Sequence, residues 1–98
     1  MSDEEVKTPP IQIEIGEKES EGVYANFFLI AHSSSEFIID CARILPGLPK
    51  AKVFARIVTT PQHAKLLLSA LEENIRKYEE KFGKIKISGK EETKTFGF

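Results

Sequence analysis

The sequence predicts an α+β fold: a four-stranded antiparallel meander followed by one long amphipathic helix, in the order ββββα. Three observations carry this expectation. Four runs of strand-forming residues lie within the first sixty positions. Short connections rich in glycine, proline and serine separate the last three of them, and connections of that length join antiparallel neighbours. Beyond them the apolar residues recur every three or four positions, the period of a helix with one buried stripe.

Residues 11–15 form the first predicted strand, since Ile11, Ile13 and Ile15 alternate with Gln12 and Glu14 as on a half-buried pleat. Gly16 closes it, and the charged stretch up to Gly22 reads as a loop. Residues 23–31 form the second strand, apolar on both parities except at Asn26, which is the composition of a strand covered on both faces. Asn26 itself reads as a bulge or edge feature, or as a partner for the backbone of a neighbouring loop. Ser33, Ser34 and Ser35 leave room only for a hairpin turn. Residues 36–44 form the third strand, with β-favouring Phe37, Ile38 and Ile39. Pro46 and Gly47 mark the next turn, and Pro49 withdraws a further backbone donor. Residues 51–58 form the fourth strand.

The helix begins at Thr60, whose hydroxyl suits an N-cap, with Pro61 preorganised for the first helical position. Ala64, Leu67, Leu68, Leu71, Ile75, Tyr78 and Phe82 make one continuous stripe, and Gly83 is a natural residue to follow the last turn. Glu72 with Arg76 and Glu73 with Lys77 stand four apart in the favourable order, worth roughly 0.2–0.5 kcal/mol per pair. Residues 84–88 alternate lysine and isoleucine and read as a short extra edge strand, its lysines discouraging aggregation. Residues 1–9 read as a disordered acidic lead-in, 10–87 as the single domain and 88–98 as a flexible tail.

Composition bounds the class. Ninety-eight residues, 41% hydrophobic and 30% charged, fit one globular domain of modest core, for which oligomerisation is a ready extra source of stability. One cysteine, Cys41, forms no internal disulfide. There is no apolar run long enough to span a bilayer and no signal-peptide pattern at the start, so the expected location is the cytoplasm. The net charge of −1 conceals a polarity. Residues 1–21 set Lys7 and Lys18 against seven acids, for −5, whereas 22–58 set four cations against Glu36 and Asp40, for +2.

Alternation divides the sheet into two faces. Phe37, Ile39 and Cys41 share a side with no charge, as do Ala51, Val53, Ala55 and Ile57; these sets are expected under the helix as the core. The opposite face then carries Ile38, Asp40, Ala42, Ile44, Lys52, Phe54, Arg56 and Val58, an apolar patch interrupted by charges and the candidate interaction face. A register placing Asp40 beside Arg56 would let them pair across strands. Self-association through this face, or through a helix face broadened by Leu66 and Ala70, is the expected assembly, a homodimer being the commonest form. Asp40 and Arg43, charges within an apolar strand, read as a satisfied structural pair or solvent-facing groups before a ligand site.

Catalytic signatures are missing. There is no HExxH, CxxC, GxGxxG or P-loop pattern, and nothing in the spacing of Cys41, His32 and His63 proposes a zinc site. Cys41 reads as a small buried hydrophobe. His32 beside three serines reads as a hairpin turn, since no third group is identifiable to orient a nucleophile, and His63 falls in the first helical turn. No metal and no cofactor is expected, and the chain reads as a non-enzymatic interaction or adaptor module with an unidentified protein partner. The alternative is a nucleic-acid-binding accessory protein that stacks bases on Phe54 among Arg43, Lys52 and Arg56, against which stand the slight charge excess and Asp40 on the same face.

The segments Gly22-Val23-Tyr24-Ala25-Asn26, Ser35-Glu36-Phe37 with Asp40, and Leu45-Pro46-Gly47 with Lys50-Ala51-Lys52-Val53 carry a resemblance. It continues through Arg56-Ile57-Val58-Thr59-Thr60-Pro61-Gln62-His63-Ala64-Lys65 to Tyr78-Glu79-Glu80-Lys81-Phe82-Gly83. Over about residues 11–85 the chain resembles a family of small prokaryotic proteins designated a domain of unknown function. The resemblance implies a prokaryotic cytoplasmic origin and adds no catalytic residue.

Overall fold

The structure is a computed structural model and describes residues 10–87. Its elements in chain order are α1 (Glu17–Glu21), β1 (Phe27–His32), β2 (Phe37–Arg43), β3 (Lys52–Thr59) and α2 (Pro61–Phe82). The architecture is α+β, with three antiparallel strands in the order β1-β2-β3 followed by the C-terminal helix. The expected lead-in over 1–9 and tail over 88–98 lie outside the described residues.

Both hairpins form where the turn chemistry places them. Between β1 and β2 the Ser33 hydroxyl accepts from the amides of Ser35 and Glu36, and the Ser33 amide donates to the Glu36 carbonyl at 2.9 Å. The three serines are therefore a turn in which a side chain supplies what the backbone cannot. Between β2 and β3, Leu48 N–H donates to the Leu45 carbonyl across Pro46 and Gly47, and Gly47 has φ +80°. Proline then a left-handed residue is the type II turn, and glycine adopts that φ without a Cβ clash.

Among the described residues the sheet has three strands rather than four, and the one missing is the first predicted, residues 11–15. Residues 11–15 join no ladder, and Ile11 and Ile13 are 87% and 89% exposed. Their alternation describes a strand waiting for an edge, because period two says which side chains share a face and nothing about who donates the hydrogen bonds. The second predicted strand likewise starts only at Phe27. Upstream of it, Asn26 donates its amide N–H to the Ala42 carbonyl, while its carboxamide accepts from Ile44 N–H at 2.8 Å and donates to Ile44 C=O at 3.1 Å. One side chain thus imitates a backbone pair and ties the approach to β1 onto the end of β2. The stretch read as a loop contains α1, one turn opened by Gly16 and closed by Gly22 at φ +78°. Glu17 and Glu19 in its first turn favour it through the helix dipole. Residues 84–87 form no strand; instead Ile85 N–H donates to the Glu79 carboxylate at 3.0 Å.

The helix ends where its caps predict. Thr60 Oγ1 accepts from His63 N–H at 3.1 Å, Pro61 takes the first position, and Gly83 at φ +97° donates its N–H to the Glu79 carbonyl. Lys77 pairs with Glu73 at 3.6 Å as expected, whereas Arg76 turns from Glu72 to Glu80 at 2.8 Å.

The largest departure is in packing. Strand-to-strand contacts hold the sheet together, but α2 covers neither of its faces: it has no buried residue, and Leu67 and Leu71 on its stripe are 50% and 54% exposed. The expected core of Phe37, Ile39, Cys41, Ala51, Val53, Ala55 and Ile57 is therefore not closed by the chain's own helix. Among the described residues only Ala42 and Asp40 are buried, and no large side chain is completely so. Cys41, expected inside, is only partly covered.

Candidate interaction face

The register fixes the two faces of the sheet. Antiparallel partners share a side, so Phe27 with Ala42, Leu29 with Asp40 and Ala31 with Ile38 put β1's contribution beside Ile38, Asp40 and Ala42. On the other flank Val58 stands opposite Ile38 and Arg56 opposite Asp40. A β-bulge then interrupts the pairing: Cys41 faces Ala55 but Ala42 faces Val53, leaving Phe54 as the extra residue.

The bulge redistributes the expected set. Ile38, Asp40, Ala42, Arg56 and Val58 lie together on one face, joined by Val53. Lys52, now opposite Arg43, moves to the other face with Phe37, Ile39 and Cys41. Ile44 lies just beyond β2, held by Asn26. Two cations directly opposed repel, and Arg43 finds other partners. It donates to the Tyr24 carbonyl from Nε at 3.4 Å and Nη2 at 3.2 Å, and its guanidinium lies 4.7 Å from the Phe54 ring centroid.

At the centre of the face Arg56 grips Asp40 with two parallel hydrogen bonds, Nε to Oδ1 at 2.7 Å and Nη2 to Oδ2 at 2.9 Å. This bidentate fork is the strong form of the pair, satisfying a carboxylate that sits between apolar neighbours on the middle strand. The fork holds the Asp40 carboxyl below its usual value of 3.8; burial pushes the other way and the positive charge of Arg56 adds to the lowering. Arg56 is held above its own ordinary range by the same bonds. Beside the pair lies an open, mostly apolar groove of about 760 Å³, lined by Leu29, Ala31 and Ile38, with His32, Ser33 and Glu36 at the hairpin end.

Phe27, Leu29 and Ala31 belong to this face although nothing in the sequence assigned them. Both parities of β1 are apolar, so alternation alone supplies no phase; only pairing with β2 does. Of the groups expected to make a base-stacking surface, Arg56 is engaged by Asp40, Arg43 by Tyr24 and Phe54, and Lys52 is on the opposite side. His32 stacks on Phe37, with centroids 5.4 Å apart, and His63 Nδ1 meets the Thr60 hydroxyl at 2.6 Å. Among the described residues no three His, Cys, Asp or Glu side chains gather as a metal site, and no helix is long and apolar enough to cross a membrane.

A family model, described as a protein of unknown function (DUF3467), matches residues 1–87. No curated protein and no solved structure matches the chain. The chain belongs to the DUF3467 family.

Proposed function

We propose that this member of the DUF3467 family is a non-enzymatic interaction or adaptor module that works as a homodimer. It presents the face of Ile38, Asp40, Ala42, Arg56 and Val58 to a protein partner. The observation that carries the reading is the open core. Sheet and helix are both well formed, yet Leu67, Leu68, Leu71, Ile75, Tyr78, Phe28, Ile30 and Ile57 all remain substantially exposed. Burial of apolar surface is the main favourable term in folding, and a small domain has little stability to spare. A surface this apolar on well-formed elements is the half of an interface. A fixed charge pair in the middle of an apolar face adds direction, since it rewards a complementary polar group and penalises a wholly apolar one.

Molar mass by light scattering after size exclusion, at two protein concentrations, tests the reading. The expected result is a concentration-independent mass near twice 11.0 kDa. A folded species of 11.0 kDa at both concentrations contradicts it.

A further inference from the structure

We infer that two copies exchange helices, α2 of each lying across the Phe28, Ile30, Phe37 and Ile39 face of the other copy's sheet. The inference rests on the homodimer proposed above and specifies how the two copies fit. Only Thr60 separates the end of β3 from the start of α2. That junction is doubly fixed, by the cap bond from His63 N–H to the Thr60 hydroxyl and by the ring of Pro61. The direction it sets carries the stripe of Leu67, Leu71, Ile75 and Tyr78 clear of its own sheet, where each remains exposed. A short rigid hinge with an uncovered element beyond it is the setting in which identical elements trade places.

The two surfaces match in size and chemistry. From Ala64 to Phe82 the stripe runs roughly 27 Å at 1.5 Å per residue. Strands of six to eight residues run roughly 20–26 Å at 3.3 Å per residue. The face of Phe28, Ile30, Phe37, Ile39, Cys41 and Ile57 is apolar through its middle and carries charge only at one end, at Arg43 and Lys52. The opposite face is excluded for the stripe, because a row of leucines over Asp40 would strip water from Arg56, now 61% exposed, and offer nothing in return. A two-fold axis repeats the contact, so nothing is left open-ended and the area buried by one helix on one sheet is doubled. The exchange leaves the Asp40 face and its groove free on both copies.

The lone cysteine makes the exchange testable in the full chain. Leu67→Cys, Leu71→Cys and Ile75→Cys are each made with Cys41 present and again with Cys41→Ala, then cross-linked with a short bismaleimide. The expected result is a covalent dimer for at least one helix position that disappears in the Cys41→Ala background. A cross-linked monomer, meaning the helix folds onto its own sheet, overturns the exchange, as does a dimer persisting without Cys41, meaning helix pairs with helix. On the unaltered chain, a mixture of ¹³C-labelled and unlabelled copies gives the second reading. Intermolecular NOEs from Leu67 and Leu71 methyls to the rings of Phe28 and Phe37 are expected. A dimeric mass without them overturns the exchange and leaves the homodimer standing, whereas a monomeric mass overturns both.

Discussion

Arg56 and Asp40 face each other across β2 and β3 and share two hydrogen bonds, yet they stand in unequal surroundings: the arginine side chain is 61% exposed and the aspartate 12%. The inequality sets what each contributes. Remove the aspartate and the guanidinium is left in water; remove the arginine and a carboxylate is left among Leu29, Ile38 and Ala42 without a partner.

Arg56→Ala should therefore lower the thermal unfolding midpoint by roughly twice as much as Asp40→Ala, the excess being the uncompensated carboxylate. The double variant should be no worse than Arg56→Ala alone. Differential scanning calorimetry on the three variants checks this, and equal effects from the two single changes would contradict it.

The same pair gives a pH signature with a definite sign. Because Asp40 is held below its usual 3.8, the unfolded chain binds the proton first as pH falls. The pair's contribution is fully present above the unfolded value and is lost as pH drops through the lower folded one. Asp40→Asn should match the wild type's pH profile from neutrality to above 4 and fall less steeply below 3.8, measured by urea unfolding.

At the base of α2, Thr60→Ala removes the oxygen that accepts from His63 N–H and should cost about 1 kcal/mol. Thr60→Ser, which keeps the oxygen, should restore most of it. Chemical denaturation followed by circular dichroism reports both.

Leu66 and Leu71 are nearly equally exposed in one copy, at 57% and 54%, but only Leu71 lies on the apolar stripe. Leu71→Ser should shift the mass toward 11.0 kDa at low concentration, and Leu66→Ser should leave it unchanged. Sedimentation velocity separates the two outcomes; dissociation by Leu66→Ser would move the interface to the other side of the helix.

What the sequence discloses follows from how local each signal is. The cap at Thr60, the proline after it, the glycines at positions 47 and 83 and the serine turn are decided by neighbours within four residues, and all appear where they are expected. The pairing of Asp40 with Arg56 was legible as a conditional, since it needs only the hairpin register. The bulge at Phe54 was not, because an extra residue on one strand is defined by the strand opposite, and it sends Lys52 to the far face. The alternation of residues 11–15 and the stripe of α2 share a deeper limit. Each states that a surface is to be covered, and neither states by which chain.

Folding and association are proposed to be one event, since the described residues of a single copy close no core. This is tested most directly by thermal unfolding at protein concentrations spanning two to three decades. The midpoint should climb steadily with concentration, as mass action requires when the folded state is a dimer and the unfolded state is not. A midpoint that stays constant over that range, with a folded mass of 11.0 kDa, would contradict it.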